Sequence, residues 1–157
     1  MQRRRVLAFA AAGLLPPLAA RAHHGWGGFD QDRPIYLEGK AERVTWKNPH
    51  AELTLRLTPG LALPADLARR ALPAQSASVD AARILSSARL PTRKDPVWEL
   101  ELAPLTRMEA WQVREIKPGT LVSAIGFGTR EDKGDAVMRV EYLFVDGKAY
   151  GLRSSPA

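Results

Sequence analysis

The stretch from Ile35 to Trp46 reads IYLEGKAERVTW, and its alternation of apolar and polar residues decides the fold. A two-residue period of this kind is typical of a β-strand with one buried face. The alternation slips before Val44, which predicts a β-bulge. Asn48-Pro49 then indicates a turn. Ala51 to Leu57 alternates again, with its leucines on one side, and predicts the second strand.

Further segments with the pattern of strands follow later in the chain: Val97–Ala103, Thr120–Phe127, Ala136–Val145 and Lys148–Leu152. The segment that begins at Thr120 is apolar on both sides, which indicates a central strand. In the next one, the apolar residues at even positions from Met138 to Phe144 are predicted on a single face. Asp146-Gly147 predicts the tight turn that joins the last two strands.

One short helix is predicted over Thr106–Val113, with Thr106 and Glu109 at the spacing of a capping box. Five or six antiparallel strands with one short helix indicate a mainly β fold. The nearest common architecture is a small OB-like barrel, the five-stranded type that binds oligonucleotides and oligosaccharides. An open β-sandwich is the alternative.

The segment Thr58–Pro96 interrupts this pattern and is rich in Ala, Pro, Ser and Arg. Short helices are predicted over Asp66–Leu72 and Val79–Ala88. A connection of this length inside a domain is usually functional or poorly ordered. We therefore expect an insertion, or long loop, packed loosely on a single barrel domain of residues 23–157.

Residues 1–22 have the organisation of an export signal. Three arginines from Arg3 to Arg5 precede an apolar stretch, Val6–Ala20, and Ala20-Arg21-Ala22 is a small-x-small cleavage site. The apolar stretch is short for a membrane span. We expect a periplasmic protein that is cleaved after Ala22 and keeps no membrane span. Both the general secretion route and the twin-arginine route are compatible with the arginines.

Removal of this signal changes the charge of the protein. The full chain has 23 Lys and Arg against 17 Asp and Glu, a net charge of +6. Four of the arginines lie in residues 1–22, so the mature chain has 19 basic and 17 acidic residues, or +2. This balance gives no support to nucleic-acid binding. The chain has no cysteine, which excludes disulfides and thiolate metal sites.

The three histidines of the chain are the main functional signal: His23, His24 and His50. Cleavage after Ala22 makes His23 the N-terminal residue, whose α-amine and ring nitrogen can chelate one metal ion. His50 can add a third nitrogen if the N-terminal arm folds back beside the turn at Pro49. Nitrogen-rich sites of this kind suit Cu(II). Copper is therefore the predicted metal, and zinc is the second choice.

Residues beside the histidines are predicted to surround such a site. Trp26, Trp46 and Asn48 would limit solvent access and orient the rings. The alternative is a metal-free OB-like binding module for a small ligand, a glycan or a periplasmic protein partner. Its surface would be the face around Trp46 or the inserted segment.

An enzyme is the less favoured interpretation. No nucleophile has a base nearby in sequence, and there is no Gly-rich phosphate loop. The acids Glu52, Glu99 and Glu101 fall on outward strand faces, where we expect solvated side chains. A metal-dependent oxidase or oxygenase with an N-terminal histidine is the one enzymatic version that the histidines suggest.

Several motifs together resemble one family: His23-His24-Gly25-Trp26, Phe29-Asp30, Leu37-Glu38-Gly39, Trp46-Lys47-Asn48-Pro49-His50-Ala51 and Lys117-Pro118-Gly119. They resemble the small exported bacterial proteins catalogued as domain of unknown function 6152. This chain departs from the pattern at Gly25, where Ser is expected, and at Thr120, where Asp is expected. The resemblance implies export and a compact β-rich fold, and it implies no established activity.

Overall fold

The computed structural model describes residues 25–157. The strands are β1 (Phe29–Thr45), β2 (Glu52–Leu57), β3 (Val97–Glu101), β4 (Leu121–Thr129), β5 (Val137–Val145) and β6 (Lys148–Gly151). The helices are α1 (Ala81–Ser87) and α2 (Leu105–Ala110), with short 3-10 turns at Trp26–Gly28, Leu67–Arg69 and Arg130–Asp132. Among these described residues, no helix is both long enough and apolar enough to cross a membrane.

The strands form one sheet in the order β3-β2-β1-β4-β5-β6. Each neighbouring pair in this order is antiparallel. In addition, β3 pairs in parallel with β5, so β1, β2, β3, β5 and β4 pair in a ring. These findings confirm the mainly β, antiparallel fold that the alternating segments predicted.

β1 is longer than predicted, because it begins at Phe29 rather than at Ile35. Its register against β2 shifts between Ala41 and Arg43, which confirms the bulge before Val44. At Gly39 the strands cross closely, and a Cβ there would overlap the carbonyl oxygen of Arg56. The sheet therefore requires glycine in the middle of β1.

A second irregularity corrects the prediction for β5. Ile125 of β4 pairs with Tyr142 and Gly126 pairs with Val140, which leaves Glu141 as an extra residue on β5. Such a bulge reverses the alternation of faces beyond it. The prediction of a single face from Met138 to Phe144 is therefore wrong.

Two apolar clusters lie on opposite sides of the sheet. The main cluster takes residues from both halves of β5: Met138, Val140, Leu143 and Val145. The second cluster contains Tyr142, and Phe144 packs against it. The inserted segment supplies four buried members of this second cluster, Leu67, Ile84, Leu85 and Ala88. It is packed on the sheet more tightly than its composition indicated.

The predicted helices are present in shorter form. α1 begins after Asp80, whose carboxylate accepts a hydrogen bond from Arg83 N at 2.9 Å and caps the helix. Only Leu67–Arg69 is helical in the first predicted segment, as a 3-10 turn. α2 begins after Pro104 without a side-chain cap, so the capping box predicted at Thr106 is not formed.

Candidate functional site around His50

His50 follows the cis peptide bond Asn48–Pro49 and lies just before β2, half-buried. Its Nε2 atom is 3.2 Å from Nη2 of Arg139. A guanidinium group has only donors, so Nε2 must accept this hydrogen bond. The contact therefore selects the tautomer of His50 that carries its proton on Nδ1.

Arg139 occupies its position because the parallel ladder brings β3 against β5. Glu101 and Arg139 are direct partners in that ladder. Nη1 of Arg139 donates to Oε2 of Glu101 at 3.0 Å, and the two side chains are only 8% and 17% exposed. Within the described part of the chain, the buried Nε of Arg139 has no hydrogen-bond acceptor. Two of the three donor nitrogens of Arg139 are thus engaged.

The Trp26 ring lies against two arginines. The Cζ atom of Arg153 is 3.9 Å from the ring centroid, and that of Arg139 is 5.2 Å from it. The ring also meets Phe127 edge-on, with centroids 6.2 Å apart. Cation–π attraction and apolar packing therefore hold the start of the described chain on the outer face of β4 and β5.

A second buried ion pair supports Arg153. Nε of Arg153 donates to Oε2 of Glu141 at 2.8 Å, and Glu141 is fully buried at the bulge of β5. Oε1 of Glu141 accepts from Nε2 of Gln75 at 3.1 Å. Gln31 completes the set, because its Oε1 accepts from Arg153 at 3.0 Å. This network joins the inserted segment, the C-terminal tail and β1.

The electrostatic balance of the site is cationic. Arg107 donates from Nη1 to the carbonyl of Leu152 at 3.0 Å. Burial, and after it the nearby charge of Arg139, lower the pKa of the Arg107 guanidinium. Three arginines thus share this region with the carboxylates of Glu101 and Glu141.

The structure brings some of the predicted site residues together. Trp26 and His50 are joined through one guanidinium, that of Arg139. His23 and His24 lie outside the described residues. Across residues 25–157, no three His, Asp or Glu side chains are grouped in a way that could hold a metal ion.

The other two predicted site residues, Asn48 and Trp46, contact α2 and the main cluster. Oδ1 of Asn48 accepts from the backbone N of Leu105 at 3.1 Å, which ties the turn to the first residue of α2. Trp46 is partly buried and packs against the main cluster. Both residues stabilise the turn that presents His50.

Sequence reasoning missed the charged residues of the site, above all Arg139 and Glu141. The available signal was the presence of two charges inside the apolar stretch Ala136–Val145. Charges within a buried strand require partners, so they indicate a polar network. The expectation of a solvated Glu101 was wrong, because that side chain is paired with Arg139.

The described chain is thus a small, mainly β protein with a histidine, a tryptophan and buried ion pairs on the outer face of its sheet. Comparison with known families gives one match, over residues 14–61, to the family of unknown function DUF6152. That stretch contains Trp26, all of β1 and the motif from Trp46 to Ala51. The match supports the assignment of the chain to this family, as the motifs indicated. Neither a curated protein nor a solved structure matches the chain significantly.

Proposed function

We propose that this protein is an exported periplasmic protein that binds a metal ion, with copper as the metal and zinc as the second choice. The ligands are the amine and ring of His23, the ring of His24 and the ring of His50. The observation that carries the proposal is the contact of Trp26 and His50 with the same guanidinium, that of Arg139.

This contact matters because only a short stretch of chain separates His24 and His23 from Trp26. His23 and His24 precede Trp26 by three and two residues. An extended chain spans at most about 3.3–3.6 Å per residue, so His23 Cα is within about 11 Å of Trp26 Cα. Because Trp26 and His50 contact the same guanidinium, this reach is compatible with a metal ion that takes ligands from the histidine pair and from His50.

The chemistry of this ligand set favours copper. An α-amine titrates close to neutral pH, so a metal ion can displace its proton. The amine and the ring of an N-terminal histidine close a chelate, and His50 supplies a third nitrogen. Nitrogen donors of this kind suit Cu(II), which also leads the affinity order of divalent metals. The amine is available only after cleavage behind Ala22, which is part of the proposal.

Arg139 has a defined role in this proposal as a competitor for His50. A metal at Nε2 must displace the Nη2–H of Arg139 from that atom. The displacement leaves Nη2 without this acceptor, in addition to the buried Nε, which has none among the described residues, so Arg139 opposes metal binding at His50. Metal binding and the Arg139–His50 hydrogen bond are then mutually exclusive.

The test uses protein exported with its own signal and purified without an N-terminal tag. Intact mass must first show a chain that begins at His23, and native mass then reports bound copper. We expect His50→Gln to lower copper affinity at least tenfold, and Arg139→Gln to raise it several-fold. The matched control is Arg114→Gln, because Arg114 is an exposed arginine whose ion pair is with Asp146 and not with a residue of the candidate metal site. Correctly processed protein that binds no copper would falsify the proposal.

The finer architecture is also a proposal: we infer that the ring of strands is a small OB-like barrel. The pairing ring β1-β2-β3-β5-β4 supports this inference, as does the position of α2 between β3 and β4. A crystal structure would decide it through the strand tilt and the continuity of hydrogen bonds around the ring.

A metal-free OB-like binding module is the second candidate. It is favoured by the hydrogen bond from Arg139, which satisfies His50 Nε2 without a metal. The two candidates separate when His23, His24 and His50 are all replaced by Gln. A metal-binding protein then loses its ligand, whereas a metal-free module keeps its affinity for a small ligand, glycan or protein partner.

A further inference from the structure

A row of four residues crosses the outer face of the sheet at the end opposite to Arg139. Glu38 of β1 pairs with Ser123 of β4, Ser123 pairs with Phe144 of β5, and Phe144 pairs with Ala149 of β6. The adjacent row, which begins at Leu37, is buried in the main cluster on the other face. The row of four therefore points away from that cluster.

The inserted segment covers only part of this outer face. It packs on the row that contains Tyr36 and Tyr142. It reaches the Glu38 row through Arg70, which lies over Phe144, and leaves the rest of that row uncovered by the inserted segment. The result is a groove of about 680 Å³. Arg70 and Ala71 of the inserted segment form one wall, and the turn from Asp146 to Lys148 forms the other.

The floor of the groove carries Glu38, whose carboxylate contacts the buried hydroxyl of Tyr36. Oη of Tyr36 donates to Oε2 of Glu38 at 2.7 Å. Burial, together with the hydrogen bond to Glu38, raises the pKa of Tyr36 to about 12. Among the described residues, no donor reaches Oε1 of Glu38. This oxygen is the acceptor that the groove offers to a ligand.

The walls supply donors and apolar surface, and the lining of the whole groove, floor included, has no net charge. Arg70 lies over the Phe144 ring with its Cζ 5.2 Å from the centroid, and Asp66 holds it by hydrogen bonds of 3.1 and 3.3 Å. Leu121 is 59% exposed at the groove. The charged residues that line the groove are two acids and two bases, Glu38, Asp146, Arg70 and Lys148.

We propose that this groove binds a neutral saccharide. A sugar ring presents hydroxyls, which match the carboxylate acceptor and the guanidinium donor, and C–H faces, which match Leu121 and the edge of Phe144. A carboxylate acceptor makes the stronger, charge-assisted kind of hydrogen bond to a hydroxyl. The balance of charges favours an uncharged ligand over an anion or a cation.

This site is separate from the proposed metal site. Arg139 and Phe144 are five residues apart on β5, which corresponds to about 16 Å along a strand. The saccharide proposal specifies a ligand for the metal-free module and requires neither copper nor His50. A protein that binds no copper would not contradict the saccharide proposal, and a protein that binds no saccharide would not contradict the metal proposal.

The experiment is a titration of the uniformly ¹⁵N-labelled mature protein in EDTA with maltotriose, cellotriose and triacetylchitotriose at millimolar concentrations. We expect at least one trisaccharide to shift the amide signals of Leu121, Ser123, Phe144 and Lys148. Glu38→Gln and Leu121→Ser should each weaken this binding at least about tenfold. Glu42→Gln is the matched control, because Glu42 is an exposed acid of the same strand that lies outside the groove.

Leu121→Ser protects the test against misfolding, since that side chain is mostly exposed. Three results would overturn the proposal: no shift with any of the three sugars, shifts confined to other surfaces, or unchanged affinity in both variants. Tighter binding of trigalacturonate than of the neutral sugars would overturn the assignment of a neutral ligand.

Discussion

The two halves of β5, before and after Glu141, have the same inner face and different outer faces. Toward the main cluster, both halves present only apolar side chains. On the outside, the first half presents Arg139 in a network with Glu101 and His50. The second half presents Tyr142 and Phe144, which pack in the second cluster with the inserted segment, and Phe144 also borders the groove. The candidate sites thus lie at opposite ends of one strand.

The comparison shows that the two faces of β5 have different roles: the inner face packs in the core, and the outer face carries the candidate binding sites. With Glu141 as an extra residue, the outer face changes from charged to aromatic while the inner face remains closed. Buried charges contribute little to stability when paired, and they cost much when one partner is lost. We therefore expect stability to depend on the inner face and specificity on the outer one.

The largest expected effect tests the inner face. Leu143 is fully buried in the main cluster, so Leu143→Ala should lower the free energy of unfolding by about 4 kcal/mol. Its neighbour Phe144 faces the groove and is only partly buried. Phe144→Ala should cost about 2 kcal/mol or less, because less apolar area is removed from the interior. Urea unfolding of both variants measures the difference, and equal losses would contradict the distinction between the faces.

The next largest effect tests the buried ion pair at the bulge of β5, between Glu141 and Arg153. Arg153→Met leaves the fully buried Glu141 with Gln75 as its remaining side-chain partner. We expect a loss of about 3 kcal/mol, because an unpaired buried carboxylate is costly. The matched control is Arg114→Met, which breaks an ion pair whose side chains are 82% and 48% exposed. That change should cost less than about 1 kcal/mol.

A double variant shows whether the cost comes from the unpaired charge. Glu141→Leu combined with Arg153→Met removes both members of the pair and should recover most of the stability lost by Arg153→Met alone. Chemical denaturation of the wild type, the two single variants Arg153→Met and Glu141→Leu, and the double variant gives the coupling between the two residues. No recovery would mean that Arg153 stabilises the fold through its contacts with Trp26 and Gln31 instead.

The strands of this fold could be predicted from the sequence because each strand with one buried face carries a visible alternation. The bulge in β1 was also predictable, since the alternation itself slips before Val44. The bulge at Glu141 was not, because Tyr142 and Phe144 are apolar and fit either face equally well. Only the pairing with β4, which lies distant in sequence, decides the register.

The candidate site was predictable only in part, for a similar reason. His50 and Trp26 stand out through their residue types and their motifs. Their connection depends on Arg139, which the parallel pairing of β3 with β5 places beside Glu101. A contact between strands that are separated by α2 and β4 leaves no local pattern in the sequence. The polar network around Arg139 therefore could not be predicted without knowing which strands pair.

The smallest of the three effects depends on pH and concerns Tyr36 of β1, which lies in the second cluster with Tyr142. Tyr36 is fully buried beside Glu38, and its pKa is raised from 10.0 to about 12. The folded state therefore favours the neutral phenol. The stabilisation is complete below pH 10, where the unfolded chain titrates, and it is lost as the pH rises through about 12.

We expect wild-type protein to lose about 2 kcal/mol of stability through this group across that window. In Tyr36→Phe the loss of unfolding free energy across this window should be smaller by about 2 kcal/mol. The pH dependence that remains in the variant includes the ionisation of Tyr142, whose pKa is raised mainly by burial. Urea unfolding across the window measures the slope, and phenolate absorbance reports the ionisation. An identical slope in both proteins would mean that Tyr36 ionises freely in the fold, and that the floor of the groove is more hydrated than its contact with Glu38 indicates.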